Sequence, residues 1–170
     1  TFLDLQHCDI FFCRPQSWFG YLIGFFTAVM NGKFDRVTFT HTAGMIRDPW
    51  RGIRRFDAME GKKTGFRKEI GKAYVFRFKD ITPLQKNLIQ EYCLSREWSE
   101  YDRRWIASFL VSFIRFFWSK KKKQKLIAED EFKDYCSELY KNAFVHAWLI
   151  EDVERITPHD LYKLIRAKVD

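Results

Sequence analysis

The stretch Arg36–Ile46, RVTFTHTAGMI, constrains the fold more than any other part of the chain. Residue type alternates strictly along it, which fits a strand of period two and not a helix. Val37, Phe39, His41 and Ala43 fall on one face, and Thr38, Thr40 and Thr42 on the other. Asp48-Pro49 ends the strand, and the arginine-rich segment Gly52–Glu60 resumes as a second. Gly61–Gly65 reads as a basic turn, with short strands at Phe66–Ile70 and Ala73–Phe78. Asp9–Arg14, DIFFCR, is a short apolar run halted before Pro15 and reads as a buried strand. Together these segments predict a small antiparallel sheet.

Helical patterns surround it. Gln16–Asn31 has Ser17 as an N-cap and Asn31-Gly32 as a stop. Its apolar stretch is about fourteen residues, short of the roughly 20 needed to span a bilayer. A core helix is the simplest reading. Because it carries Trp18, Phe19, Tyr21, Phe25 and Phe26 and no charge, a substrate-facing or membrane-surface role for Trp18–Phe26 stands beside it. Further helices are expected from Asp80–Pro83 through Trp98, over Tyr101–Trp118, over Asp130–Ala147, and from Pro158, capped by Thr157, to Lys168. The class is α+β, a single domain over residues 1–170, with the sheet packed against helices.

Apolar residues make up 46% of the 170, enough to bury a core and to exclude a disordered chain. Eighteen Phe and six Trp exceed what such a core needs, so some belong to a surface or cleft. The formal charge of +8 favours an anionic partner: a cell-wall polymer or peptide, nucleic acid, or acidic lipid headgroups. Nucleic acid is the weakest of these, since no zinc-finger spacing, glycine-rich phosphate loop or RNA-binding aromatic motif accompanies the charge. The run Lys120–Lys125 reads as a solvated loop, with electrostatic contact to an anionic surface as the alternative. Cys8, Cys13, Cys93 and Cys136 lack metal-pair spacing and are too sparse for a disulfide scaffold, so they are expected to be reduced, with no metal or cofactor. The first apolar run lacks the basic-then-apolar start of a signal sequence. A cytoplasmic or phage-delivered protein is expected.

The segment Asp134–Tyr140, DYCSELY, sets Cys136 where an acidic stretch gives way to a helical pattern. A helix N-terminus stabilises a thiolate through its dipole and its unpaired N–H groups. Such a thiolate needs a base. Among the four histidines, His41 alone lies mid-strand among threonines. His7 is near the start, His146 sits on the aromatic face of the cysteine helix, and His159 opens the last helix. Taken by itself a strand histidine is more often structural than catalytic, and Cys136 equally fits a buried small hydrophobe.

The motifs FTHTAGMI and YCSELYKNAF resemble the circularly permuted, papain-like branch of the NlpC cell-wall peptidase superfamily, the YiiX/YebB-like group. Cys8-Asp9-Ile10-Phe11-Phe12 is similar to that group's opening strand, and Thr40-His41-Thr42-Ala43-Gly44 to its Ser-His-x-Gly strand. Tyr135–Leu139 is similar to its Tyr-Cys-Ser-Glu-Leu helix start, and Ile156–Leu161 to its Thr-Pro-x-Asp-Leu ending. Thr40 stands for the usual serine, one extra residue separates His41 from its glycine, and Lys120–Glu131 looks like an insertion. The resemblance implies a permuted papain-like fold and a cysteine peptidase or amidase, with peptidoglycan stem peptides as substrate. It assigns Cys136 as nucleophile, His41 as base, and Asp57, followed by Ala58, as the third polar residue, with Glu60 as competitor. Tyr135 and Thr40 become pocket candidates. An acyl-lipid hydrolase or acyltransferase is the second reading, and a catalytically silent structural protein, such as a virion component, the third.

Overall fold

The computed structural model describes residues 4–15, 21, 39–59, 62–67, 73–101, 133–134, 136–153 and 156–169. The chain is α+β. Five strands, β1 (Ile10–Cys13), β2 (His41–Asp48), β3 (Gly52–Asp57), β4 (Gly65–Arg67) and β5 (Ala73–Phe76), form an antiparallel sheet in the order β4-β3-β2-β1-β5. Helices α1 (Pro83–Ser95), α2 (Cys136–His146) and α3 (Pro158–Val169) follow, and β6 (Glu100–Tyr101) pairs in parallel with β7 (Lys133–Asp134). Of the helices expected at Gln16–Asn31 and Tyr101–Trp118 only Tyr21 and Tyr101 are among the described residues, and Tyr101 is extended in β6; the run Lys120–Lys125 lies outside them.

β2 sits at the centre of the sheet, paired with β1 on one side and β3 on the other. Its alternation does not separate a wet face from a dry one. Thr42, Ala43, Met45 and Ile46 are all buried, and the Thr42 hydroxyl has no hydrogen-bond partner. Ala43 and Met45 pack with Phe11, while Ile46 joins Ile10, Phe12 and Phe56 in the larger core with the helices. Phe39, expected to share a face with Ala43, belongs instead to that larger core. It lies before the strand, which begins at His41, and its ring meets Phe12 and Tyr162.

Each helix has a local reason to start where it does. In α1, Thr82 and Gln85 form a reciprocal capping box with Pro83 at the first position. In α3, the Thr157 hydroxyl accepts from the Asp160 N–H at 3.2 Å and donates to its carboxylate at 2.6 Å. The helix expected over Asp130–Ala147 is shorter than its pattern. Lys133-Asp134 is extended against Glu100-Tyr101, and α2 opens at Cys136. Strand pairing there outweighs helix propensity, and the cysteine is left at the helix start.

The buried face of α2, Leu139, Tyr140, Ala143 and Phe144, packs in the larger core beside β2 and α1. Ser137 is fully buried and donates to the Ile156 carbonyl at 2.7 Å, tying the first turn of α2 to the segment entering α3. Lys141, also buried, reaches Asp152 and the Val153 carbonyl. The start of α2 is thus anchored from both flanks.

Candidate active site

The β2–β3 hairpin builds one half of the site. Gly44 pairs with Phe56, so one step along the ladder Ala43 stands opposite Asp57, and His41 lies diagonally across from it on the same face. Ala43 offers only a methyl group between them. The His41 Nε2 and Asp57 Oδ2 atoms are 3.0 Å apart. On the other flank Asp57 pairs with Gly65, which has no side chain, and Arg67 reaches Asp57 Oδ1 diagonally at 3.5 Å. Arg55, two residues back on the same strand face, donates to Asp57 Oδ2 at 2.6 Å. Asp57 is fully buried and held between a histidine and two arginines.

The α2 start supplies the other half. Cys136 is buried at the first position of the helix, close enough to the His41 ring for the charge it can carry to act on the imidazole. With Nε2 committed to Asp57, Nδ1 is the ring nitrogen left for the sulfur. His41 is about one-fifth exposed, with a side-chain accessibility of 21%. The acid is sealed and the imidazole touches solvent.

Electrostatics favour a charged imidazole. Burial, the largest influence on His41, works to lower its pKa. The charge the nearby Cys136 can carry and the hydrogen bond to Asp57 outweigh it and push the pKa up to about 9. Burial works to raise the Asp57 pKa, but the bond to His41 and the charges of His41 and Arg55 prevail and hold it below the usual carboxylate value. The arrangement can store a proton on the ring at neutral pH and hand it to a leaving group.

The structure brings together Cys136, His41 and Asp57. Thr40 is half-buried beside His41, and its N–H donates to the Cys13 carbonyl at 3.0 Å. Glu60 and Tyr135 lie outside the described residues. The other histidines are placed elsewhere: His146 against Tyr92, His159 between Phe39 and Tyr162, and His7 near Lys86 and Arg47. Among the described residues, no group of His, Cys, Asp or Glu is arranged to hold a metal ion, and no helix is long and apolar enough to cross a membrane.

Four neighbours were not singled out by sequence reasoning. Arg55 sits in the strand read over Gly52–Glu60 and Arg67 in the short strand read over Phe66–Ile70, neither tied to the acid, although period two from Asp57 places Arg55 on its face. Cys13 pairs directly with His41 across β1 and β2, and burial pushes its thiol pKa up. Tyr140, one turn after Cys136, donates its hydroxyl to the Phe56 carbonyl at 2.6 Å, next to Asp57. No family model matches the chain, and no curated protein or solved structure does either.

Proposed function

We propose that this protein is a cysteine hydrolase that cleaves an amide bond through Cys136, His41 and Asp57. One observation carries the reading: a buried cysteine at a helix start lies within electrostatic reach of a histidine whose Nε2 is held 3.0 Å from a buried carboxylate. The thiol comes from an element far along the chain from the hairpin that carries the base and the orienting acid, and few structural needs other than catalysis gather a buried acid, a histidine and a thiol at one place.

In the proposed cycle the Cys136 thiolate attacks the carbonyl carbon, and the backbone N–H groups at the start of α2 face the developing oxyanion. His41, protonated by the thiol, gives that proton to the departing amine, leaving an acyl-enzyme. It then takes a proton from water as the water attacks the thioester, and Cys136 is released. Asp57 keeps Nδ1 turned toward the sulfur throughout. Peptidoglycan stem peptides are the substrate class this reading favours. The resemblance to the permuted NlpC-like enzymes and the excess positive charge, including the two arginines around the site, support it.

Iodoacetamide labelling and hydrolysis of isolated stem peptides test the proposal. Labelling at neutral pH is expected to concentrate on Cys136, with Cys136→Ala and His41→Ala each abolishing cleavage. An unreactive Cys136, or cleavage that survives its removal, sinks the catalytic reading.

A further inference from the structure

The hairpin that carries His41 and Asp57 at its base ends in a tip that the chemistry above does not use. Trp50 is 91% exposed at its apex, the most exposed of the large apolar side chains among the described residues, and Ile53 below it is 38% exposed. Arg47, paired opposite Ile53, and Arg51 are exposed beside them. The acid of the turn, Asp48, is buried and consumed internally. Its Oδ1 accepts from the Trp50 and Arg51 N–H groups at 2.9 and 3.2 Å, and its Oδ2 meets Arg54 at 3.5 Å. Gly52, at φ 76°, supplies the left-handed residue that closes the three-residue loop. The turn is therefore internally braced, and it holds an exposed indole near two exposed arginines, for neither of which an ion pair is found among the described residues.

We propose that this tip docks on an anionic lipid bilayer, with Trp50 seated at the headgroup level and Arg47 and Arg51 on the lipid phosphates. Tryptophan between an apolar layer and water, flanked by basic residues, is the chemistry of interfacial anchoring. A pre-built turn loses little conformational freedom on binding. A hairpin end is far smaller than the roughly 800 Å² per partner that a stable protein interface needs. Its convex apex also suits a fluid surface better than a nucleic-acid groove.

The tip lies seven residues along β2 from His41, about 23 Å at roughly 3.3 Å per residue. Docking therefore holds the Cys136–His41 end of the hairpin away from the bilayer. Taken with the hydrolase reading, this favours a substrate outside the apolar layer over an acyl chain within it.

Co-sedimentation of the full chain with vesicles tests the proposal without any assay of hydrolysis. Binding is expected to vesicles of phosphatidylcholine mixed with phosphatidylglycerol, little to phosphatidylcholine alone, with release by high salt. Trp50→Ala is expected to weaken partition about tenfold or more. Arg51→Gln is expected to weaken it about fivefold. Both side chains are exposed, so thermal unfolding should be unchanged in these variants. If the wild-type chain ignores anionic vesicles, or binds them equally well without Trp50, the proposal fails. It also fails if a single-stranded oligonucleotide competes for the tip with the same dependence on Trp50. Vesicle binding by a chain whose Cys136 proves inert would leave the docking surface standing and remove only the hydrolase reading.

Discussion

The Tyr140 hydroxyl donates to the Phe56 carbonyl at 2.6 Å, joining the helix that carries Cys136 to the strand that carries Asp57. Tyr140 sits one turn after the cysteine, and Phe56 immediately precedes the acid. One buried hydrogen bond thus sets the distance between the two halves of the site. Tyr140→Phe keeps the ring but removes this buried hydrogen bond, at a cost of about 0.5–1.5 kcal/mol. Urea unfolding should show that loss. In a hydrolysis assay kcat should fall more than KM changes, because the sulfur is no longer held in register with the imidazole.

Gly44 lies under the same ring. A Cβ built there would come within 2.7 Å of Tyr140 Cε1, and the ring is fully buried and hydrogen-bonded. Gly44→Ala should therefore destabilise by about 1–3 kcal/mol. Combined with Tyr140→Leu, which removes the obstructing ring, the loss measured by denaturation should be smaller than the sum of the single losses.

Asp57→Asn removes the carboxylate that helps hold the His41 proton. The alkaline limb of kcat/KM, set by His41 near pH 9 in the wild-type protein, is expected to move to lower pH. The maximal rate should drop by about 10²-fold or more. A pH profile unchanged by the substitution would place the orienting role elsewhere.

Arg55→Gln should act in the opposite sense. The arginine shares Oδ2 with His41 and neutralises part of the Asp57 charge, so its loss leaves Oδ2 to the histidine, with only Arg67 still beside Oδ1, and shifts the alkaline limb upward. Arg55→Lys retains the charge and should leave the limb near its original position. Opposite shifts for Asp57→Asn and Arg55→Gln would show that the acid is shared.

The same groups set how stability depends on pH. Asp57 is depressed in the folded state, so its contribution is present above its ordinary value of 3.8 and is lost as pH falls below it. His41 is raised, so its contribution is complete below 6.5 and is lost as pH rises through about 9. Thermal unfolding should give greatest stability between these limits, and His41→Ala should flatten the alkaline slope.

Much of this architecture was legible because it rests on local rules. The alternation around His41, the Asp48-Pro49 stop and the Thr157-Pro158 cap correspond to β2, the hairpin turn and α3. The pattern around Cys136 pointed to a helix start, though it ran the helix too far back, because the β6–β7 pairing depends on a partner some thirty residues away. Asp57 comes in beside Glu60 through the resemblance and not by a local rule; the β2–β3 register is what brings it diagonally across from His41. Arg67, Cys13 and Tyr140 depend on which strands neighbour which, and a single sequence does not encode that order locally. Phe39 was assigned to the wrong face because alternation was extended past the point where the strand begins.

The two halves of the site also differ in how they can be reached during folding. His41 and Asp57 are 16 positions apart on one hairpin, while Tyr140 is 84 positions from the carbonyl it bonds. Hairpins close in about 1–10 μs, whereas contacts across most of a chain form later. During synthesis the imidazole and its acid are made and paired long before the thiol leaves the ribosome. A product cut short before Cys136 would therefore hold the imidazole and its acid already paired, with no sulfur to meet them.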